Sequence, residues 1–370
     1  MLEAAGFQAL FVGGCVRNAL LGAAVDDIDI ATDAAPDRVM TLAAAAGLHA
    51  VPTGIAHGTV TVVSRGVPHQ ITTFRRDIAT DGRHAVVAFG GTLAEDAARR
   101  DFTMNALYCD ARGRVIDPLD GLPDLLAGRV RFVGDPAARI AEDHLRILRF
   151  FRFLAWYGTG GPEPEGPDAE GPDPESLAAC AEFAESVQHL SRERVLAELR
   201  KLLAAPDPSA SVGSMAQAGV LWRVLPGADP RALPVLVHLE QGLAPDWLRR
   251  LAALGGADPA AVLPLSRADA ARLAILRAET GAATPAAALA YQHGAPVARD
   301  VLLLRSALTG MPLPPDWPAL IARGAAAVFP LAAADLMPAL SGPALGQWLT
   351  AARTRWIASD FTLTREDLLP

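Results

Sequence analysis

At 370 residues the chain is long enough for about two or three domains. Its 51% hydrophobic content, beside 29 prolines and 32 glycines, excludes a disordered or low-complexity chain. A formal net charge of -8 excludes a uniformly basic surface, and no apolar run approaches the roughly 18 to 20 residues of a membrane span.

From Phe7 to about Arg131, short β-type runs alternate with helical ones: "ALFVGG", "DDIDIAT", "GTVTVVSRG", "PHQITTFR", "ALYCD" and "VRFVG". This alternation predicts an α/β domain. From about Pro136 onward, Ala/Leu-rich helical patterns dominate, interrupted between Gly158 and Ser176 by "GTGGPEPEGPDAEGPDPES". That tract is too rich in Pro, Gly and acid to pack, and it reads as a surface loop or linker. "SRERVLAELRKLL" follows, with Ser191 as N-cap and an apolar stripe. Ala204 to Pro370 reads as helices separated by prolines, without an exact internal repeat. The start Met-Leu-Glu-Ala lacks a basic leader region, so a soluble cytoplasmic protein is expected. Cys15, Cys109 and Cys180 are isolated, predicting neither a disulfide framework nor a zinc site. Lys201 is the only lysine. A GC-rich genome accounts for that preference, while arginine's planar fork also suits phosphate and base contacts.

Chemistry concentrates in "FVGGCVRNALLGAAVDDIDIAT", Phe11 to Thr32. Strand alternation in "DDIDIAT" puts Asp27 and Asp29 on one face, with Asp26 pointing away. Two carboxylates on a rigid strand make a clamp for magnesium, whose shell water and substrate phosphates complete. Gly13 and Gly14 end a strand and open a helix, where absent side chains let backbone N–H groups approach a triphosphate, and Arg17 adds positive charge to the same phosphates. Taken singly, either feature is equally well a strand end or a tight turn with solvated acids.

G-G-x-V-R, followed ten residues after the arginine by D-x-D, resembles the class II nucleotidyltransferases. These are the tRNA CCA-adding enzymes and bacterial poly(A) polymerases, with a head related to DNA polymerase β. Further motifs match in order: "TDGRHA" (Thr80 to Ala85) the flexible-loop segment, "RRDFTMNAL" (Arg99 to Leu107) the ribose-reading motif and "EDHLRILRFFRF" (Glu142 to Phe153) the base-reading motif. "SRERVLAELRKLL" is similar to the helix that supports the base site. The resemblance implies an α/β catalytic head over residues 1–135 and an all-α remainder. A helical neck would span 136–205 and an RNA-binding body and tail 206–370.

The implied activity is template-independent addition of CCA to the 3′ end of tRNA from CTP and ATP with Mg2+. The alternatives are a poly(A) polymerase, a CC-only or A-only tRNA nucleotidyltransferase, or a noncatalytic RNA-binding relative. Asp27 and Asp29 would be the catalytic metal ligands. Gly13, Gly14, Arg17, Arg100, Asp101 and Asn105 would serve ribose and phosphates, with Asp143, Arg146, Arg149 and Arg152 at the base site.

Hydrogen-bond polarity gives the base-reading pair a physical basis. Cytosine and adenine each pair an exocyclic amino donor with a ring-nitrogen acceptor, so a carboxylate and a guanidinium side by side match both. Guanine and uracil present a carbonyl and a protonated ring nitrogen at those places. One Asp/Arg pair therefore admits CTP and ATP and rejects GTP and UTP. The blander reading pairs Asp143 with Arg146 as an i, i+3 surface bridge. Two positions depart from the family pattern: Asn18 stands where Asp is usual, and Gln70 where a third carboxylate is usual. A neutral amide is a weak magnesium ligand. His57 and His84 lack ligand-like companions.

Overall fold

The computed structural model describes residues 1–25, 27–81, 84–158, 172–337 and 340–369, with side chains described except at 56 and 76–88. Asp26, the centre of the "TDGRHA" segment with its side chains, and most of the acid-rich tract after Gly158 lie outside the described residues. The chain forms two compact units. One comprises residues 1–226 with 261–264, the other 227–260 with 265–370.

A seven-stranded mixed sheet organises the first unit, in the order β3-β4-β5-β2-β1-β8-β9. Its strands are β1 (Leu10–Val12), β2 (Asp29–Thr32), β3 (His49–Gly54), β4 (Thr59–Ser64), β5 (Val67–Thr73), β8 (Tyr108–Cys109) and β9 (Val115–Ile116). The separate hairpin β6 (Arg75–Asp81) and β7 (His84–Phe89) forms a second, two-stranded sheet. Only β2 and β5 pair in parallel, because α2 (Pro36–Ala45), β3 and β4 lie between them and carry the chain back. Leu10, Val12, Ala31 and Tyr108 bury one face of the sheet, while Val60, Val62 and Ile71 bury the other against Val39 and Ala43 of α2.

Two predicted details change. "VRFVG" is not a strand of the sheet: Phe132 makes only an isolated bridge to Phe102, because its ring is claimed by an aromatic core with Phe102 at 4.9 Å and Phe150 at 5.8 Å. β3, absent from the predicted strands, is an edge strand with Pro52 inside it and a mostly exposed surface, so no period-two apolar pattern marks it.

Helices follow: α1 (Gly14–Leu20), α3 (Leu93–Ala98), α4 (Gly121–Leu126), α5 (Pro136–Glu142), α6 (Leu145–Tyr157), α7 (Pro174–Glu182) and α8 (Arg192–Leu203). α6 buries Leu145, Ile147, Leu148, Phe150, Phe151, Phe153, Leu154 and Ala155. That stripe is wide because α6 is covered both by the aromatic core and by later helices, as where Ser211 Oγ donates to the Phe151 carbonyl at 2.5 Å. Arg146, Arg149 and Arg152 occupy the remaining arc.

The second unit is helical, as its sequence predicts. At its centre Arg249 meets Glu240 at 2.6 Å and Asp300 at 2.7 Å, all three nearly devoid of solvent contact. The three cysteines are free thiols. Among the described residues, no helix is long and apolar enough to cross a membrane.

Candidate active site

Glycine decides the turn between β1 and α1. Gly13 adopts φ 72°, a left-handed conformation that side chains resist. A Cβ there would lie 3.4 Å from Arg100 Nη1, so the turn backs directly onto the Arg100 guanidinium. Arg100 is held in turn by Asp96 at 2.9 Å and by the Tyr108 hydroxyl at 3.1 Å. The Gly13 N–H donates to the Leu107 carbonyl, which anchors the turn to the segment carrying Asn105.

The D-x-D acids divide differently from expectation. β2 begins at Asp29, and Asp27 lies just before it, so strand alternation alone does not set their common face. They still act on each other: the Asp29 carboxyl is pushed above its ordinary range, first by the protein around it and then by Asp27, against the pull of Arg100. Asp29 pairs in register with Gln70 on parallel β5. Two neighbouring carboxylates of oxygen-donor type are the chemistry that fits a hard divalent cation. Among the described residues, no group of three or more His, Cys, Asp or Glu gathers to hold a metal.

Arg17 is not directed at an open phosphate site. It is 7% exposed, lies 4.2 Å from the centre of the Tyr157 ring, and donates to the Tyr157 hydroxyl at 2.8 Å, to Asn18 Oδ1 at 2.9 Å and to Asn105 Oδ1. Asn18, standing where an acid is usual, thus accepts from Arg17 as a neutral partner. The amide of Asn105 passes the chain on, its Nδ2 donating to Asp101 Oδ1 at 2.9 Å. The Phe102 N–H donates to the same oxygen, and Arg149 donates twice to Asp101 Oδ2, once from Nε at 2.8 Å. Burial opposes the charge of Asp101, but Arg149 and these hydrogen bonds outweigh it and bring its pKa down to about 2. Arg17, Asn105, Asp101 and Arg149 therefore form one hydrogen-bonded chain from α1 to α6.

The side chains of Asp143 and Arg146 take different partners, and only the backbone joins the two residues, the Arg146 N–H donating to the Asp143 carbonyl at 2.9 Å. Asp143 is not helical: it ends α5 at φ -155°, and α6 starts only at Leu145, so the i, i+3 bridge has no helix to form on. Its Oδ1 accepts from the Leu145 N–H at 3.1 Å, and its Oδ2 from Arg194 Nη2 at 2.6 Å. Arg146 pairs with Glu142 and donates to the Arg139 carbonyl at 2.8 Å. Arg152 meets Glu198 at 3.1 Å.

Arg194, Glu198, Glu142 and Tyr157 were not among the residues singled out from the sequence. The four-residue spacing of Arg194 and Glu198 on α8 marks a shared polar face. Nothing local names their partners across the helix interface.

Residues 9–131 match the family model described as "Poly A polymerase head domain", and residues 172–231 the model described as "Probable RNA and SrmB- binding site of polymerase A". A CCA-adding enzyme of Levilactobacillus brevis is 40% identical over 227 residues, covering 61% of this chain and 53% of that protein. The mitochondrial CCA tRNA nucleotidyltransferase 1 of Danio rerio is 39% identical over 198 residues, 53% of this chain and 44% of that protein. The chain thus spans about half the length of the curated relatives it matches. The solved Bacillus stearothermophilus CCA-adding enzyme in complex with CTP superposes with a TM-score of 0.71 at 27% identity, covering 97% of this chain and 91% of that one. With glycine turn, acid-bearing strand and helix α6 disposed as described, residues 9–131 match the poly(A) polymerase head-domain family, and the chain as a whole is similar to tRNA nucleotidyltransferases.

Proposed function

We propose that the protein adds C, C and A to the 3′ end of tRNA from CTP and ATP, releasing pyrophosphate. On this reading residues 1–135 are the catalytic head, 136–205 the neck, and 206–370 the body and tail that hold the acceptor arm. Its compartment is the cytoplasm.

The observation that carries this reading is the separate fixing of Asp143 and Arg146, one by Arg194 and the other by Glu142. Had they paired with each other, acceptor and donor would both be engaged. Bound instead to different partners, Asp143 keeps further accepting capacity and Arg146 further donors, the two polarities that cytosine and adenine require. Asp27 and Asp29 would hold a divalent metal, Mg2+, which when bound would supply positive charge to the phosphates and to the primer hydroxyl.

Gly13, Gly14 and Arg100 border the triphosphate, where a backbone without side chains permits close approach. Arg17, Asp101, Asn105, Arg149 and Arg152 frame the nucleotide by fixing α1 against α6, since most of their donors and acceptors already have partners within the protein.

The test offers magnesium with CTP and ATP, singly and together, to tRNA transcripts ending before C, CC or CCA. The expected product ladder is C, CC, CCA and then arrest, with Asp27→Ala and Asp29→Ala abolishing addition but still binding tRNA. A ladder of A alone makes the protein a poly(A) polymerase, and a ladder ending at CC or adding a single A makes it a partial enzyme. Turnover in either alanine variant within about tenfold of the parent removes the metal role, since one lost charged ligand is worth more than about 1.4 kcal/mol.

A further inference from the structure

Asp143 stands outside both helices, at the junction of α5 and α6, so no helical hydrogen-bond pattern fixes its side chain. Two donors do so instead. The Leu145 N–H holds Oδ1 at 3.1 Å, and Arg194 Nη2, from a helix 51 residues further along the chain, holds Oδ2 at 2.6 Å. One donor on each oxygen fixes the carboxylate plane and leaves each oxygen a second lone pair for an incoming amino group.

The arginine is fixed as well. Glu198, one turn beyond it on α8, meets Arg152 of α6 at 3.1 Å with the opposite polarity, so two crossed ion pairs set α8 against the start of α6. Arg194 and Asp143 remain 26% and 28% exposed. An ion pair this open to water adds little to folding, so its consequence lies in orientation.

We propose that Arg194 is a specificity-determining positioning residue for nucleotide selection, acting through Asp143. The inference rests on the base-reading role given to Asp143 above. Without Arg194 the carboxylate turns about its two side-chain torsions, and an acceptor whose direction varies binds an amino group less well. CTP and ATP lose that bond. UTP and GTP, which never used it, lose less and also meet a less sharply aimed negative charge.

The experiment measures kcat/KM for all four nucleotides on one primer tRNA. The proteins are the parent, Arg194→Ala, Arg194→Lys, Asp143→Ala and the Arg194→Ala/Asp143→Ala double variant. Arg194→Ala should reduce the CTP:UTP and ATP:GTP ratios by about tenfold or more, the scale of one charge-assisted hydrogen bond. Arg194→Lys should restore part of each ratio, since an ammonium supplies a donor without the planar fork. In the Asp143→Ala background, Arg194→Ala should change the ratios no further, because the residue it acts through is gone.

Ratios unchanged by Arg194→Ala, an equal fall for all four nucleotides, or a further fall in the double variant would overturn the proposal and leave Arg194 a structural support of α8. If Asp143→Ala itself leaves the ratios unchanged, the base-reading assignment fails and this inference falls with it. If Asp143→Ala changes them and Arg194→Ala does not, only this inference falls. Arg194→Met, which keeps the packed stem, carries the same measurement where the alanine variant does not fold.

Discussion

Gln70 illustrates what one residue does to the proposed metal site. Parallel pairing puts it level with Asp29 on the neighbouring strand, so its amide occupies the place beside the acids where the resemblance leads one to expect a carboxylate. A neutral amide lends a carbonyl oxygen but no charge, and the Asp29 carboxyl is already held above its ordinary range by its surroundings and by Asp27. A third acid would deepen the negative potential, repelling its neighbours without metal and attracting the cation more strongly with it. Gln70→Glu should therefore lower the magnesium concentration for half-maximal addition severalfold and raise the rate at limiting magnesium. A magnesium titration that superposes on the parent's would remove this position from the site.

At the scale of elements, one carboxylate gathers several of the hydrogen bonds that tie α6 to the first sheet's domain. Asp101 accepts from Phe102 and Asn105 on one oxygen and twice from Arg149 on the other, which accounts for nearly all its accepting capacity. Desolvation works against the charge, yet these partners bring the pKa to about 2 from 3.8. A carboxyl with a depressed folded pKa stabilises above its unfolded pKa and loses that contribution as pH falls through the folded value. The interaction is worth on the order of 2 kcal/mol at neutral pH. It should fade between about pH 4 and pH 2. Asp101→Asn should accordingly unfold at lower denaturant than the parent at pH 7, and the gap should narrow at pH 3. A gap that stays constant with pH would show that the loss is one of packing. In the second unit the buried Arg249 meets both Glu240 and Asp300, so the helices around it are joined by charge.

For the whole molecule, the charge of -8 must be reconciled with the proposed RNA partner. At the proposed nucleotide site the arginines are largely matched by acids: Arg100 by Asp96, Arg146 by Glu142, Arg149 by Asp101, Arg152 by Glu198 and Arg194 by Asp143. That local neutrality favours reading a base over holding RNA indiscriminately. Binding of tRNA then depends on arginines elsewhere making direct phosphate contacts, and each such contact releases a counterion. Affinity for primer tRNA, measured by filter binding or anisotropy, should fall at least about tenfold between roughly 50 and 200 mM monovalent salt. A flat salt profile would mean that the acceptor arm is held without phosphate contacts, by shape and 2′-hydroxyls alone.

The sequence by itself determined what local periodicity and chemical type determine. Alternating apolar residues marked β1, β4 and β5, the 3.6-residue stripe marked α6, and the clustering of Gly13, Gly14, Asp27 and Asp29 marked the proposed catalytic edge. It did not determine that β2 starts after Asp27, because "DDIDIAT" alternates over its whole length while the pairing with β5 begins only at Asp29 and Gln70. Nor did it determine partners. Arg17 meets Asn105 across 88 residues, Asp101 meets Arg149 across 48, and Asp143 meets Arg194 across 51. A sequence pattern states which face of an element is polar. Which charge stands opposite is decided only when distant elements pack, since each buried or half-buried ion must then find a counter-ion among the side chains that packing brings within reach.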